Sequence, residues 1–331
     1  MVYMKILVIG DAMLDWDNYA NVDRLSPEAP VLVADVVSEK FRLGGALNVA
    51  HNLKVLGADV TVTGVVGADF WKDKLCSEIA KEGINDNLFS VINRRTTVKQ
   101  RFLDCNNTHL FRGDREDRGP LDDIAKNKLC EYIRETKDDW DGVVLADYNK
   151  GVVKEYLVDV LSEISSPVFA DLKPQQMKLF HGLEVITPNL KEAKEAAAFD
   201  AKDGLKLGIE DVGRSLLQNS KVVIITLGAN GLCYFADDTQ YKIDRIELPS
   251  MDGCSVVDTC GCGDVVTAVY SYSILAGHSI PQAAKIANTT AWSTTKEVGV
   301  SCISNNEYND IVAEVVAVDE YDKIESVVFN V

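Results

Sequence analysis

Val256-Val-Asp-Thr-Cys-Gly-Cys-Gly-Asp264 leads directly into the apolar stretch Val265-Val-Thr-Ala-Val269. Glycines at 261 and 263 permit a tight turn and let consecutive backbone N–H groups point one way. From Asp264 to about Leu275 the pattern predicts a helix, whose N-terminal dipole end adds positive potential at the same spot. Amides and helix end together favour a transferring or developing negative charge. A carboxylate beside such an anion hole needs a reason to be there, and a general base taking a hydroxyl proton is one. An Asp-Gly turn whose aspartate merely caps the helix is written in the same letters. The stretch is no Walker loop, because no G-x-x-x-x-G-K-[ST] occurs, and no G-x-G-x-x-G follows the first apolar run to suggest a dinucleotide site.

The rest of the chain supplies an α/β frame for that turn. Lys5–Ile9, Asp59–Val65, Gly142–Ala146, Val168–Ala170, Glu184–Thr187 and Lys221–Thr226 read as strands. Helical patterns fill the intervals at Ala46–Leu56, Trp71–Glu82, Asp122–Thr136, Lys154–Ile164, Lys191–Ala198 and Ile209–Gln218, with another at Pro281–Val298. Such alternation predicts right-handed βαβ units and a mostly parallel central sheet flanked by helices, a three-layer αβα arrangement. Polar residues recur just past the strand ends, where open α/β sheets place their ligands. Two segments, about 15–43 and 90–113, instead alternate apolar and polar residues and predict exposed strands pairing as a small side sheet. The tail Ser326-Val-Val-Phe-Asn-Val331 reads as a strand for a sheet edge.

Composition narrows the function. The 331 residues carry 34 Lys+Arg and 51 Asp+Glu, a net charge of −17, which repels nucleic-acid backbones. With 47% hydrophobic residues the chain can build a core, so disorder is excluded. No run reaches membrane-spanning length, and the first apolar run is too short for a leader, so a cytoplasmic protein without a membrane partner is expected. Eight scattered cysteines fit a reducing compartment. Cys254, Cys260 and Cys262 cluster, but a zinc site needs four ligands and the histidines lie far off in sequence. Small core-lining thiols are the plainer reading, a redox switch the other.

At Asp258-Thr-Cys-Gly-Cys-Gly-Asp264 the chain resembles the ribokinase (PfkB-type) carbohydrate kinases, whose signature is D-T-x-G-x-G-D. Four further motifs follow that family's order: Gly10-Asp-Ala-Met-Leu-Asp15, Gly44-Gly-Ala-Leu-Asn-Val-Ala50, Pro188-Asn-Leu-Lys-Glu192 and Thr226-Leu-Gly-Ala-Asn-Gly231. Asp23-Arg-Leu-Ser-Pro-Glu-Ala-Pro-Val31, Leu110-Phe-Arg-Gly-Asp-Arg-Glu116, Ala146-Asp-Tyr-Asn-Lys-Gly151 and Asp171-Leu-Lys-Pro174 are closest to the heptose-7-phosphate kinase branch. Those enzymes transfer the ATP γ-phosphate to O1 of D-glycero-D-manno-heptose 7-phosphate, on the way to ADP-heptose. Some continue into a nucleotidyltransferase, for which this sequence is too short. Cys260 and Cys262 in the anion-hole turn, Leu172 where proline is usual, and Leu47 inside the Gly-Gly motif depart from the pattern without removing a catalytic group.

The resemblance implies one kinase domain over 1–331 with the side sheet as a lid, and assigns roles to residues of this sequence. Asp264 would be the base, with the N–H groups of Gly261, Cys262 and Gly263 holding the transferring phosphoryl. Asp15, Gly44, Gly45 and Asn48 would hold sugar hydroxyls. Asn189 and Glu192 would organise Mg²⁺ through its waters. Thr226, Gly228 and Gly231 would line the nucleotide phosphates and ribose, with Asn288 and the Val298-Gly299 corner beside adenine. A monovalent cation is a further possible requirement. Each motif also has a structural reading: a capping box at 189–192, a hairpin at 226–231, and a strand-to-helix turn at 44–48.

An acidic chain must still attract an anionic sugar phosphate. Arg94, Arg95, Lys99, Arg101, Arg112, Arg115 and Arg118 form one basic region. Some of these, Arg112 first, with Lys173 or Lys150 would bind the 7-phosphate, since guanidinium forks match phosphate oxygens. The same charges also suit a solvated edge that resists aggregation. Asp147 and Lys150, at a strand's end, are candidates for sugar or phosphate contact, or form a surface pair. The lid is also the expected homodimer contact. Competing functions are another ribokinase-like sugar or nucleoside kinase, and a non-catalytic sensor of nucleotide or sugar phosphate.

Overall fold

Ile6-Leu-Val-Ile9 is apolar at every position, so a strand made from it has no face for water and must be covered on both sides. The computed structural model, which describes residues 4–198, 207–236, 244–246, 256–296, 299 and 302–328, buries all four. The strands are β1 Lys5–Gly10, β2 Ala12–Leu25, β3 Leu32–Gly45, β4 Asp59–Gly67, β5 Asn85–Val91, β6 Thr97–Leu103, β7 His109–Arg115, β8 Gly142–Ala146, β9 Val168–Asp171, β10 Leu183–Ile186, β11 Ser220–Thr226, β12 Leu232–Ala236 and β13 Asp244–Ile246. The helices are α1 Ala46–Val55, α2 Phe70–Lys81, α3 Asp123–Glu135, α4 Val158–Ser162, α5 Pro174–Met177, α6 Leu190–Ala198, α7 Ile209–Leu216, α8 Cys262–Leu275, α9 Ile280–Thr294 and α10 Asn305–Val328.

The central sheet has the order β13-β12-β11-β10-β9-β8-β1-β4-β5. It is parallel from β5 through β11, and β12 and β13 add antiparallel at one edge. Alternate residues of β1 feed two cores. Ile6 and Val8 pack with α1, α8 and α9, while Leu7 and Ile9 pack with α3, α6 and α7. This is the three-layer αβα architecture that the strand–helix alternation predicts, and the ribokinase-like fold that the resemblance implies. The ends of β1, β8, β9 and β10 carry Asp11, Asp147, Asp171 and Thr187 to one side of the sheet, and all four are buried.

A second sheet, ordered β3-β2-β6-β7, stands beside that edge. β2 leaves the central sheet one residue after β1, and β3 returns directly into α1 through Gly44 and Gly45. Asp15 therefore lies opposite Arg42 on one side and Lys99 on the other, with Asp17 opposite Arg101. The far part of this sheet exposes Leu25, Val31, Leu32, Val36, Val37 and Phe111.

Several expectations are corrected. The side-sheet strands begin at Ala12 and reach Gly45 and Arg115, and Ser90 belongs to central strand β5. Residues 154–164 form a 3₁₀ turn, Glu155–Leu157, followed by the short α4. The helix expected at Pro281–Val298 runs from Ile280, capped by Ser279 and Gln282, to Thr294. Ser326–Val328 finish α10 rather than pairing with a sheet edge, because helix α10 carries through them; 329–331 lie outside the described residues. Cys262 packs partly buried against the core, but Cys260 is exposed rather than core-lining; Cys254 lies outside the described residues.

Candidate active site

Gly261 holds φ at 82°, the left-handed region that glycine enters without strain, and caps α8. Asp258 fixes the approach by accepting from Cys260 N–H at 2.9 Å and Gly299 N–H at 2.8 Å. Thr267 locks the first turn, donating to Gly263 O at 3.0 Å and meeting Thr187 of the β10 end at 2.7 Å. The turn of amides is thus held against both the central sheet and the end of α9.

Asp264, in that first helical turn, is buried, and burial pushes its carboxyl above the usual range. Two neutral donors counter this. Asn48 Nδ2 on α1 donates to Oδ2 at 2.6 Å, and the Tyr148 hydroxyl donates to Oδ1. Asn52 orients Asn48 by donating from Nδ2 to Asn48 Oδ1 at 3.2 Å. Burial, then the charges of Asp264 and Asp171, hold the Tyr148 phenol far above its ordinary value, so it remains a donor. The Lys99 charge also favours the Asp264 anion, whereas Asp15 opposes it.

The second sheet brings a further buried carboxylate to this edge of the central sheet. Asp15 is 2% exposed, and its Oδ1 lies 3.3 Å from Arg101 Nη1. That contact is misaligned for a hydrogen bond, so Oδ1 is left buried without a donor. A buried acceptor in that state costs stability, and a ligand hydroxyl would satisfy it. Gly44 makes room for this carboxylate, because a Cβ would stand 2.9 Å from Asp15 Oδ2 and push the side chain aside. Gly45, at φ 59°, would place a Cβ 2.6 Å from Asp11 O, the carbonyl that accepts from Ala46 N–H. Lys99 joins the two carboxylates electrostatically: burial pulls its ammonium below the ordinary lysine range, while Asp15 and then Asp264 pull it back.

Most of the basic region is engaged elsewhere. Arg94 donates to the Lys150 and Gly119 carbonyls, Arg95 pairs with Asp117, Arg115 with Asp69, and Arg118 with Glu116. Arg112 is half exposed and makes a two-pronged pair with Asp114 at 2.7 and 2.8 Å. The structure brings Lys99 and Arg101 to the acceptor carboxylates, with Arg112 close enough to influence Lys99. Lys150 turns its ammonium to Glu116 at 2.5 Å.

Asp11 and Asp147 act on backbone. Asp11 accepts N–H groups from Tyr148, Lys150 and Val152 at 2.8–3.2 Å, fixing the loop that presents Tyr148. Asp147, pushed up to about 6 chiefly by burial, accepts from Asn149 and Lys173 N–H. Asp171 is pushed up to about 7, again chiefly by burial, with Lys173 opposing.

Toward the nucleotide side, Asn189 and Glu192 form a reciprocal cap on α6, with N···O distances of 3.0 and 3.2 Å. Glu192 Oε1 also holds Lys173 Nζ at 2.6 Å. Both oxygens of Glu192 are occupied, so its carboxylate suits a hydrated divalent cation held through water better than direct ligation. Asn189 bridges to Thr226 at the end of β11, and Gly228 and Gly231, both at positive φ, turn the chain into β12. Asn288 is buried in α9; Val298 lies outside the described residues.

Tyr148, Asp11, Asp171 and Thr267 were not singled out by sequence reasoning. The signal was present for Asp11 and Asp171 as carboxylates ending apolar strands, and for Tyr148 only as a member of the Ala146–Gly151 stretch, with no role attached to it. Its ring lies 5.7 Å from both Lys99 Nζ and Lys173 Nζ, between acceptor and nucleotide sides.

A fold of this kind, with a glycine turn opening a helix beside two buried aspartates, is that of a phosphotransferase with an alcohol acceptor, as the family match shows. Residues 4–306 match the pfkB family carbohydrate kinases, and the chain belongs to that family. It is accordingly an ATP-dependent sugar kinase, a chemistry that requires a divalent metal. It is 34% identical over 312 residues to Bifunctional protein HldE of Helicobacter hepaticus, covering 92% of this chain and 62% of that protein. The chain spans somewhat under two thirds of such relatives. Escherichia coli phosphofructokinase-2, solved with potassium, superposes with a TM-score of 0.76 at 17% identity, covering 96% of this chain and 100% of that one. Thermotoga maritima ribokinase gives 0.70 at 16% identity, covering 95% and 100%. Among the described residues no helix is long and apolar enough to cross a membrane.

Proposed function

We propose that this chain phosphorylates O1 of D-glycero-D-manno-heptose 7-phosphate, using ATP, as a step toward ADP-heptose. The observation that carries this is a buried carboxylate, Asp264, held by Asn48, together with a buried Asp15 oxygen that has no donor, the Lys99 charge acting on both. The likeness to HldE proteins supports a heptose acceptor.

Asp15 would accept a hydroxyl of the sugar and orient the ring; a sugar lacking that hydroxyl would leave a buried carboxylate oxygen unpaired, which gives discrimination. Asp264 would take the proton from the attacking hydroxyl. The amides of Gly261, Cys262 and Gly263 would meet the charge on the phosphoryl oxygens, so side-chain identity at 262 matters little. Lys99, Arg101 and Arg112 would offset the negative charge that a sugar phosphate brings to an acidic chain. Mg²⁺, held through water by Glu192 and Asn189, supplies charge neutralisation on the phosphates when bound. Thr226, Gly228 and Gly231 would line the nucleotide, and Asn288 would flank its base. A monovalent cation requirement would show as activation by potassium over sodium.

The second sheet would act as a lid that excludes water and limits ATP hydrolysis. Its exposed Val31, Leu32, Val36, Val37 and Phe111 suit a homodimer contact, which light scattering at micromolar concentration tests. A cytoplasmic setting fits the need for ATP and the thiol-rich chain.

The deciding assay is ADP release across a panel of sugar 7-phosphates, unphosphorylated sugars and nucleosides. Turnover should be confined to the heptose phosphates and should drop by roughly 10²–10⁴ in Asp264→Asn. Equal turnover of an unphosphorylated sugar or a nucleoside would assign the chain to another ribokinase-like kinase. ADP release unaffected by Asp264→Asn would remove the base.

A further inference from the structure

A second constellation of chemically active side chains lies away from the kinase centre. His51 on α1 has Nδ1 3.2 Å from Cys302 Sγ, and its Nε2 stands 3.0 Å from Glu82 Oε2. The three residues come from separate segments: α1, the end of α2, and the turn before α10. They border a cleft of about 190 Å³ whose other walls include Lys40, Arg42 and Glu78. Glu78 is already held by Lys74 and Lys81, each at 2.8 Å, and Arg42 pairs with Asp17. Glu82 is 43% exposed and His51 25%, so the cleft opens to solvent.

The order of the contacts fixes the chemistry. A carboxylate at Nε2 favours the tautomer with its proton there, which leaves the Nδ1 lone pair facing the thiol. A thiol beside a basic imidazole that is itself oriented by a carboxylate has the arrangement of an activated nucleophile. We propose that Cys302 is a reactive thiol, activated by His51 and Glu82, that exchanges with small disulfides entering this cleft. Nothing in the kinase chemistry uses these residues, and the inference stands apart from the choice of sugar.

The step balances without another reactant. The Cys302 proton passes to His51 Nδ1, and the thiolate attacks one sulfur of R–S–S–R. The Cys302–S bond forms, the old S–S bond breaks, and the departing RS⁻ takes the proton from His51. Cys302 is oxidised and the leaving sulfur is reduced. At about 190 Å³ the cleft takes one arm of a small disulfide, and its open side leaves the rest in solvent.

An ordinary thiol is only about 3% ionised at neutral pH, so full activation raises thiolate roughly 30-fold. Lower intrinsic nucleophilicity offsets part of this, leaving an advantage of roughly tenfold. Cys105 is exposed and serves as the internal reference. The experiment treats the whole protein with glutathione disulfide at neutral pH, and follows each cysteine by peptide mass mapping over time. Cys302 should be modified roughly tenfold faster than Cys105. His51→Asn should erase that advantage, and Glu82→Gln, at the exposed rim, should cut it several-fold. Modification of Cys302 no faster than Cys105, or unchanged in a folded Glu82→Gln protein, would overturn the proposal. Should His51→Asn fail to fold, the Glu82→Gln comparison decides alone.

Discussion

Replacing Tyr148 by Phe removes one hydroxyl and leaves the ring between Lys99 and Lys173. Among the described residues two side chains donate to the Asp264 carboxylate, the Tyr148 hydroxyl and Asn48, the latter at 2.6 Å. Both stabilise the anion against burial and the repulsion from Asp15. A hydrogen bond to a charged group contributes about 1.5–3 kcal/mol. At 1.36 kcal/mol per tenfold, its loss should disfavour the Asp264 anion by roughly 10- to 100-fold, raising its pKa further. The base must be ionised to accept a proton, so the acid limb of the kcat/KM profile should move to higher pH accordingly. At the alkaline plateau the change should be small, because a more basic carboxylate offsets looser positioning. ADP release measured across pH, with the sugar phosphate below KM, reads the shift. An acid limb that stays in place while the plateau collapses would mean that Tyr148 serves only to shape the pocket. An acid limb that also persists in Asp264→Asn would mean that another group titrates there.

Gly45→Ala should destabilise the fold by about 1–3 kcal/mol, since a positive φ and an Asp11 carbonyl at 2.6 Å both oppose a Cβ; a drop in Tm checks it, and an unchanged Tm refutes the strain. Lys99→Met should raise KM for the sugar phosphate more than tenfold, the loss expected for a charge-assisted bond. Arg112→Ala should raise it less, because Arg112 is half exposed and already paired with Asp114; an unchanged KM removes Arg112 from the pocket. Asp171 has a folded value of about 7 against 3.8 unperturbed, so between those values the folded state holds a proton that the unfolded chain has released. Its contribution therefore becomes destabilising as pH rises through that window, and Asp171→Asn should raise Tm more at about pH 8 than at about pH 4. Equal gains at both would argue against a raised carboxyl.

What could be read from the residues alone was whatever is written locally. Strand runs such as Ile6–Ile9, apolar at every position, announce a sheet covered on both faces, and the two alternating segments announce a sheet with one open face. Gly261 and Gly45, both at positive φ, mark where the backbone turns sharply, whereas Gly44 lies near the end of β3 beside Asp15 and Gly263 already lies in α8. Asn48 and Asp264, 216 positions apart, were each visible in a motif, but their contact required the packing of α1 against α8. Tyr148 sits in a stretch that the sequence already singles out, but only the loop tied down by Asp11 carries its hydroxyl to Asp264.

Charge shows the limit most sharply. Seven basic residues in one stretch looked interchangeable, yet their partners come from β2, α2, the 114–119 segment and the Lys150 loop. Strand register turns Lys99 and Arg101 toward Asp15 and Asp17, while the others meet carboxylates or carbonyls elsewhere. Lys173 likewise reads as a phosphate ligand until α6 brings Glu192 within 2.6 Å of it. The local alphabet sets turns, periodicity and the kinds of group present. Which group faces which depends on distances between segments far apart in the chain, and those distances exist only once the sheet, its covering helices and the second sheet have packed.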